Sequence, residues 1–535
     1  MSASEWKELQ NRKWICEGTP QRAAGFLRER TGVKMRYLPD GKQMNEADRH
    51  TIEDLGVPSL VLMERAALES VETMEKAGID TSRTLVVCGS GNNGGDGFAA
   101  ARILTERGRQ ADIVFAGKES SLSQECRIQK QIAENMGLRI FTEFPAGEYT
   151  VIIDAVFGVG LSREITGSYK DMIQAMNRAP GRKVAIDIPS GVCAGDGRVL
   201  GIAFQAELTV GMACTKLGCE LYPGKNYAGQ TAAVPIGIDP GFFSDRKEVF
   251  QTYEREDLSR LLPLRKPDSH KGSYGKVLMI TGSYGMAGAS CLAALAAYTA
   301  GAGLVQIYTP ADNRVIVQQL LPEAVLSCYN GYEEEKLDEL LEWADVVCIG
   351  CGLGTDRQAE QILIHTIENV KVPCVVDADG INLLSRHKEL LSHTAAPLIL
   401  TPHMMEMSRL TGCTVKRIKE DRIEILRRFT ESCPAVCVLK DSRTIVAQKG
   451  NHPFINLAGN SGMAKAGSGD VLAGVITGLL AQGMTPFEGA ALGVYLHACG
   501  GDESRDRLGS YSMVARDLIK GIQVCLKKAE EQKEK

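Results

Sequence analysis

TLVVCGSGNNGGDG, residues 84–97, begins as a short apolar, β-branched run and breaks into glycines. Such a run reads as a buried strand, and the glycines let a backbone approach a ligand closely before a helix begins. Gly89, Gly91 and Gly94 match the GxGxxG spacing of a dinucleotide-binding turn. Two features argue against a Rossmann dehydrogenase. The next strand, 112–116, runs into Gly117 and Lys118 where a ribose-holding acid belongs. Asp96 also lies inside the turn, where a carboxylate would repel a pyrophosphate at a helix N-terminus. The loop therefore suits hydroxyls, amides or a cation. The competing reading makes Asp96 a helix cap and the glycines turn formers.

Outward from this loop the pattern alternates between short β runs and helical segments. Further strands are predicted at 151–154, 183–188, 276–281, 346–350, 373–377 and 435–439, which argues for βαβ units and largely parallel sheets. A chain of 535 residues exceeds what one core usually organises. The first alternating series closes with VPIGIDPGFF, and a second begins at Lys276. The expected division is an N-terminal extension (1–35), a first α/β domain (36–245), a polar linker open to proteolysis (246–254), a second α/β domain (255–529) and a charged tail (530–535). With 61 basic and 66 acidic side chains, the net charge of −5 leaves no nucleic-acid footprint. Apolar stretches are too short to span a bilayer, so a cytoplasmic protein is expected. The 16 cysteines are scattered through strand-like and helix-like segments, as reduced core thiols would be. Cys348 and Cys351 form a CxxC that lacks the second pair a structural zinc site needs.

Two more strand ends fall on the edge where GNNGGDG lies. Asp154 ends one strand, and Asp187 with Ser190 follows another, offering hard oxygen ligands for an alkali or alkaline-earth ion; each acid alone could also cap a turn. In the second half, Gly282, Gly285 and Gly288 follow the strand at 276–281 and open an alanine-rich helix. GSGD, residues 467–470, sets free amides and Asp470 at another helix start, an arrangement able to hold an anion and deprotonate a hydroxyl during phosphoryl transfer. The competing reading of Asp470 is an N-cap.

GNNGGDG, IIDAVFGVGL from Ile152, VAIDIPSGV from Val184, LTVGMACTKLG from Leu208 and the LMERAA helix at Leu62 together resemble the NAD(P)H-hydrate epimerase domain, over about 43–239. The resemblance implies a Rossmann-like αβα sandwich. It assigns Asn92, Asn93, Gly94, Gly95 and Asp96 with Gly158, Val159, Gly160, Leu161, Ser162 and Arg163 to the hydrated nucleotide. Asp187 is assigned to its reacting ring, and Asn93, Asp154 and Ser190 to potassium. Asp187 is the first acid-base candidate and Lys216 the second. HKGSYGKVLMITGS from His270, GCGLG from Gly350, VVDADGIN from Val375, LTPHMMEMSRL from Leu400, LKDSRT from Leu439 and GNSGMAKAGSGDVLAG from Gly459 resemble the NAD(P)H-hydrate dehydratase domain, a ribokinase-like α/β fold, over about 255–529. Here the resemblance assigns Ala289, Gly352, His403 and Asp470 to the substrate, with Asp470 catalytic. Lys440, Asp441, Ser442, Arg443 and Thr444 with Gly469 are assigned to ADP, the phosphoryl donor, accompanied by Mg2+.

The sequence departs from the family pattern in four places. Met405 precedes Glu406 where a glycine is usual, Asp441 replaces a glycine beside Lys440, Cys351 replaces the proline of GPGLG, and Ala466 replaces a glycine. The implied function is repair of hydrated NADH and NADPH by a homo-oligomeric enzyme: epimerisation of the R and S forms, then ADP-dependent dehydration of the S form. The rival reading is a ribokinase-like small-molecule kinase fused to a nucleotide-binding sensor or scaffold.

Overall fold

The computed structural model describes residues 36–533, so the expected extension 1–35 lies outside the described residues. The expected tail continues a helix, Ala515–Lys533, as far as it is described.

Arg83–Cys88, the strand of the opening motif, is central in a seven-stranded sheet. Gln110–Phe115 and Ile140–Phe141 lie on one side, and Val151–Ala155, Arg182–Ile186, Leu208–Met212 and Gln230–Val234 lie on the other. Every pairing is parallel. The apolar runs are buried on both faces, as a sheet covered on both sides requires. The chain order reverses between Arg83–Cys88 and Val151–Ala155, so the crevice beyond these two strand ends is the topological switch point where such folds bind ligands. The helix Asn92–Glu106 leaves from that crevice. A Cβ on Gly94 would stand 2.0 Å from the Gly89 carbonyl oxygen, and one on Gly97 2.5 Å from Ala155 Cβ, so the glycines seat the helix against the sheet.

The second sheet has eleven strands. From Val436–Leu439 through Leu398–Leu400, Cys374–Val376, Val346–Ile349, Lys276–Ile280 and Leu304–Pro310 to Val325–Tyr329 all pairings are parallel. Its order reverses between Lys276–Ile280 and Val346–Ile349. The alanine-rich helix Ala287–Thr299 packs on Ser468–Ala481. Added Cβ atoms on Gly474 and Gly478 would stand 2.1 and 2.5 Å from the carbonyl oxygens of Ala293 and Ala297. Those two glycines, one turn apart, fix the height of the helix whose first turn carries Asp470.

The polar linker expectation needs correction. Residues 246–254 contain the strand Phe250–Thr252, which pairs antiparallel with Arg36–Leu38 and joins the second sheet beside Phe454–Ile455. Alternation along these strands divides them between two cores: Tyr37 and Val249 face the first, Leu38 and Phe250 the second. The two ring nitrogens of His452 lie 2.9 Å from the Val249 carbonyl oxygen and 3.0 Å from that of Ser244. Residues 249–253 are buried and 250–252 are paired, while 246–248 and Glu254 stay at least partly exposed, so the middle of the segment is a seam between the units and not a free tether. Among the described residues, no helix is long and apolar enough to cross a membrane. The cysteines among them are free thiols, most of them buried.

Candidate active sites

Beyond the first switch point lies a cavity of about 650 Å³ whose walls include Asp48, Asn93, Asp96, Gly158, Asp187 and Lys216. Asp187 follows the strand Arg182–Ile186 with φ +69°, a left-handed conformation costly for a residue with a Cβ and typical of sites that over-determine their backbone. Its Oδ1 accepts a hydrogen bond from Lys216 Nζ, which also donates to the Met212 carbonyl oxygen at 2.9 Å. Lys216 is fully buried, so removing either member of this pair would strand a polar group away from water.

The expected loop residues 92–96 and 158–163 all line the same cavity except Gly94 and Gly95, whose backbone is packed behind it. Gly91 is the N-cap of the helix, so the cap reading of Asp96 fails. Burial, then Asp187 and Asp48, push the Asp96 carboxyl well above its ordinary range. Both side-chain polar atoms of Asn93 are buried without a partner, a state native structures rarely tolerate unless a ligand completes it. Asp154 is fully buried. Its Oδ1 accepts from Ser190 Oγ at 2.7 Å and Val156 N at 3.1 Å, and its Oδ2 from Ser190 N at 2.7 Å. Burial pushes its pKa up to about 6 against these hydrogen bonds. Asn93 lines the cavity, whereas Asp154 and Ser190, bonded to each other, are not among its lining residues; the three offer the oxygen atoms that a hard monovalent cation takes.

Sequence reasoning missed Asn45 and Asp48, which line the cavity from the helix Gly41–Arg49. Their signal was weak: Met44 and Ala47 are the buried positions of that helix, and the polar pair one turn apart reads as a solvated face.

At the second switch point, Asp470 sits in the first turn of Ser468–Ala481, which starts from Gly467 at φ +86° without a side-chain cap, so Asp470 is not an N-cap. Burial, then the charge of Asp377, raises its pKa to about 6. Asp377, a residue not singled out from the sequence although VVDADGIN contains it, accepts from Lys440 Nζ at 2.7 Å and Thr401 Oγ1 at 2.5 Å. Burial works to raise Asp377, yet Lys440 holds it below the ordinary carboxylate range. Cys351 Sγ donates to Asp377 Oδ2 at 3.7 Å, placing a thiol where the family has a proline. A Cβ on Gly469 would stand 3.5 Å from Lys440 Nζ, so Gly469, Lys440, Asp377 and Asp470 share one crevice. Gly352 and Ala289 meet on its other wall: a Cβ on Gly352 would stand 2.9 Å from that of Ala289.

His403 pairs along the backbone with Lys440 and caps the helix Met404–Thr411, its Nδ1 accepting from Met405 N at 3.1 Å and Glu406 N at 3.2 Å. Burial lowers its pKa and raises that of Glu406 to about 7. Met405 is exposed and its amide serves this cap, so that departure leaves the turn intact. The charge of Asp441 is met by Arg422 Nη1 at 3.1 Å. The Arg443 guanidinium donates to the carbonyl oxygens of Glu220, in the neighbouring unit, at 3.0 Å and of Leu457, in its own unit, at 2.9 Å.

The family model for NAD(P)H-hydrate dehydratase matches residues 277–524, and that for the YjeF-related protein N-terminus matches residues 59–218. The bifunctional NAD(P)H-hydrate repair enzyme Nnr of Moorella thermoacetica is 36% identical over 524 residues, covering 93% of this chain and 98% of that relative. A ribokinase-like superfamily protein of Enterococcus faecalis is 30% identical with a TM-score of 0.48, covering 52% of this chain and 96% of its own. The ADP/ATP-dependent NAD(P)H-hydrate dehydratase of Bacillus subtilis, co-crystallised with ATP and Mg2+, is 29% identical with a TM-score of 0.47, covering 52% of this chain and 98% of its own.

Proposed function

This chain belongs to the family of bifunctional NAD(P)H-hydrate repair enzymes, and from that premise we propose how its two crevices divide the work. The enzyme epimerises hydrated NADH and NADPH in the first unit and dehydrates the S form in the second, with ADP as phosphoryl donor. The units are 36–245 and 255–529, with the strand Arg36–Leu38 and residues 246–254 forming the seam between them. The observation that carries the reading is that each switch-point crevice holds its own aspartate with a lysine in reach, Asp187 with Lys216 and Asp470 beside the Asp377–Lys440 pair.

Hydration places a hydroxyl on the carbon beside the ring nitrogen, and that carbon is R or S. Exchange between the two requires a proton to be put on and taken off the hydroxyl oxygen while the ring nitrogen's lone pair assists loss of water. Asp187 and Lys216, joined by one hydrogen bond, are the groups that move that proton. Residues 92–96 and 158–163 hold the nucleotide. Asn93, Asp154 and Ser190 would hold potassium, which supplies positive charge between the carboxylates and the substrate phosphates.

In the second crevice hydroxide is too poor a leaving group to depart at neutral pH. Asp470 takes the hydroxyl proton as the oxygen attacks the β-phosphoryl group of ADP. AMP leaves, and the ring nitrogen's lone pair then expels phosphate from the carbon. Loss of a proton from the adjacent carbon restores the dihydronicotinamide. Lys440 and the amides at Gly469 are the groups assigned to the phosphoryl charge. Mg2+ would accompany the ADP phosphates, since Cys351, Asp377 and Asp470 together include a soft thiol ill suited to a magnesium cage. The free buried thiols favour a reducing cytoplasm. A homo-oligomer is expected, to be checked by light scattering.

A sensor or scaffold in place of the epimerase would have no use for a fully buried lysine on a strained aspartate. The test is to incubate the protein with mixed epimers of hydrated NADH, with and without ADP, and follow the dihydronicotinamide absorbance. Complete recovery with ADP and none without it is expected; accumulation of a stable phosphorylated alcohol would favour the kinase reading.

A further inference from the structure

Lys216 is the last residue before the chain leaves the first core. The turn that follows it, Leu217–Cys219, buries Leu217 and, just beyond, Leu221 among Leu38, Phe250 and the apolar residues of the second unit. Leu217 N donates to the Pro39 carbonyl oxygen at 3.1 Å, directly after the strand Arg36–Leu38 that completes the second sheet. The turn has no slack. A Cβ on Gly218 would stand 1.9 Å from the Cys193 carbonyl oxygen, and one on Gly224 2.2 Å from that of Gly218.

Two guanidinium groups of the second unit hold this turn. Arg443 Nε donates to the Glu220 carbonyl oxygen at 3.0 Å while its Nη1 reaches Leu457, and its guanidinium lies 5.6 Å from the centre of the Tyr222 ring. Arg422 Nη2 donates to the Tyr222 carbonyl oxygen at 3.4 Å, its Nη1 being fixed on Asp441. Charge-assisted bonds from a rigid fork fix direction better than a lysine or a neutral donor can. A lysine side chain is flexible, so where Lys216 Nζ stands against Asp187 depends on the backbone that carries it, and small displacements at a reacting group are expensive in rate.

We propose that Arg443, assisted by Arg422, is a positioning residue for epimerisation, contributed by the second unit to a site in the first. It acts through the Glu220 carbonyl and the 217–222 turn to place Lys216 on Asp187. The first crevice is thus completed by the unit that carries the second. The proposal rests on the epimerase reading of that crevice.

The test uses the full chain without ADP, so that dehydration is idle, and follows interconversion of R and S hydrated NADH from a sample enriched in one epimer. Arg443→Ala is expected to lower kcat for epimerisation about tenfold with KM within about twofold. In a Lys216→Ala background the same substitution is expected to cost nothing further, because its effect passes through the residue already removed. A kcat within about twofold of wild type, or losses that multiply in the double variant, would overturn the proposal. If Arg443→Ala fails to fold by thermal melting, Arg422→Gln gives the same decision from a less central position: a loss of kcat of about threefold is expected, and an unchanged kcat overturns it. A wild-type protein that does not interconvert the epimers would instead remove the epimerase reading, a result distinct from wild-type rates in the variants.

Discussion

The two crevices use the same residue types in different arrangements. In the first, the lysine sits on the aspartate proposed to react: Lys216 donates to Asp187. In the second, Lys440 sits on the neighbour, Asp377, at 2.7 Å, and Asp470 lies close to Cys351 and Asp377 with its pKa pushed up to about 6. An acid and a base sharing one hydrogen bond suit a reversible exchange in which a proton goes on and comes off the same oxygen. A base near neutrality that no lysine holds directly suits a committed step in which the proton is taken once and phosphoryl transfer follows. On the proposed assignment the position of the lysine separates an isomerase crevice from a phosphoryl-transfer crevice, although both stand at the switch point of a parallel sheet.

The comparison breaks most readily at Asp470. Asp470→Asn keeps the shape but cannot accept the proton, so ADP-dependent dehydration of the S epimer should fall at least about a hundredfold while epimerisation is retained. Turnover within about threefold of wild type would make Asp470 a bystander, that difference being worth under about 1 kcal/mol. Replacing potassium by a large organic cation should slow epimerisation about tenfold, since the Asn93 amide would again lack a partner and the Asp154 carboxylate a counter-charge. Equal rates in both salts would take the cation out of the first crevice.

The pH dependence sharpens the contrast. Asp470 must be unprotonated to act, and its raised pKa of about 6 means that it takes up its proton earlier on acidification than an ordinary aspartate. Dehydration should therefore be level above about pH 7 and fall about tenfold per unit below about pH 6, as kcat against pH would record. A level profile down to pH 5 would show that the proton goes elsewhere. The smallest effect is expected from Gly474→Ala. Its new Cβ would stand 2.1 Å from the Ala293 carbonyl oxygen, costing about 1–3 kcal/mol in denaturant unfolding and weakening dehydration more than epimerisation.

Much of this organisation is legible in the sequence, and the part that is not has a physical reason. Arg83–Cys88 and Val346–Ile349 announce themselves as apolar runs ending in glycine, and Val151–Ala155 as one followed three residues on by Gly158; each leads into a loop assigned to a ligand. Asp187 is singled out as an acid at a strand end and Asp470 by the glycines that precede it at a helix start. The seam is illegible by the same reasoning. Arg36–Leu38 and Phe250–Thr252 are three-residue strands, too short for a periodic signal, and their pairing joins residues more than two hundred positions apart. The partner of the Arg443 side chain is hidden for a related reason. Arg443 lies in a loop that resembles a donor-binding motif, and the acceptor that claims its side chain, the Glu220 carbonyl, belongs to a distant turn. Asp48 is hidden because a carboxylate on an amphipathic helix looks solvated until the sheet edge beside it is known.

The central claim, that one chain epimerises at Asp187 and dehydrates at Asp470, is tested most directly by Asp187→Ala given ADP and a mixture of both epimers of hydrated NADH. The account predicts a biphasic trace of dihydronicotinamide absorbance. The S form should return at the wild-type rate, and the R form should follow only as fast as it converts spontaneously. Complete recovery in a single phase at the wild-type rate would contradict it, leaving the two crevices without the division of labour inferred from their lysines.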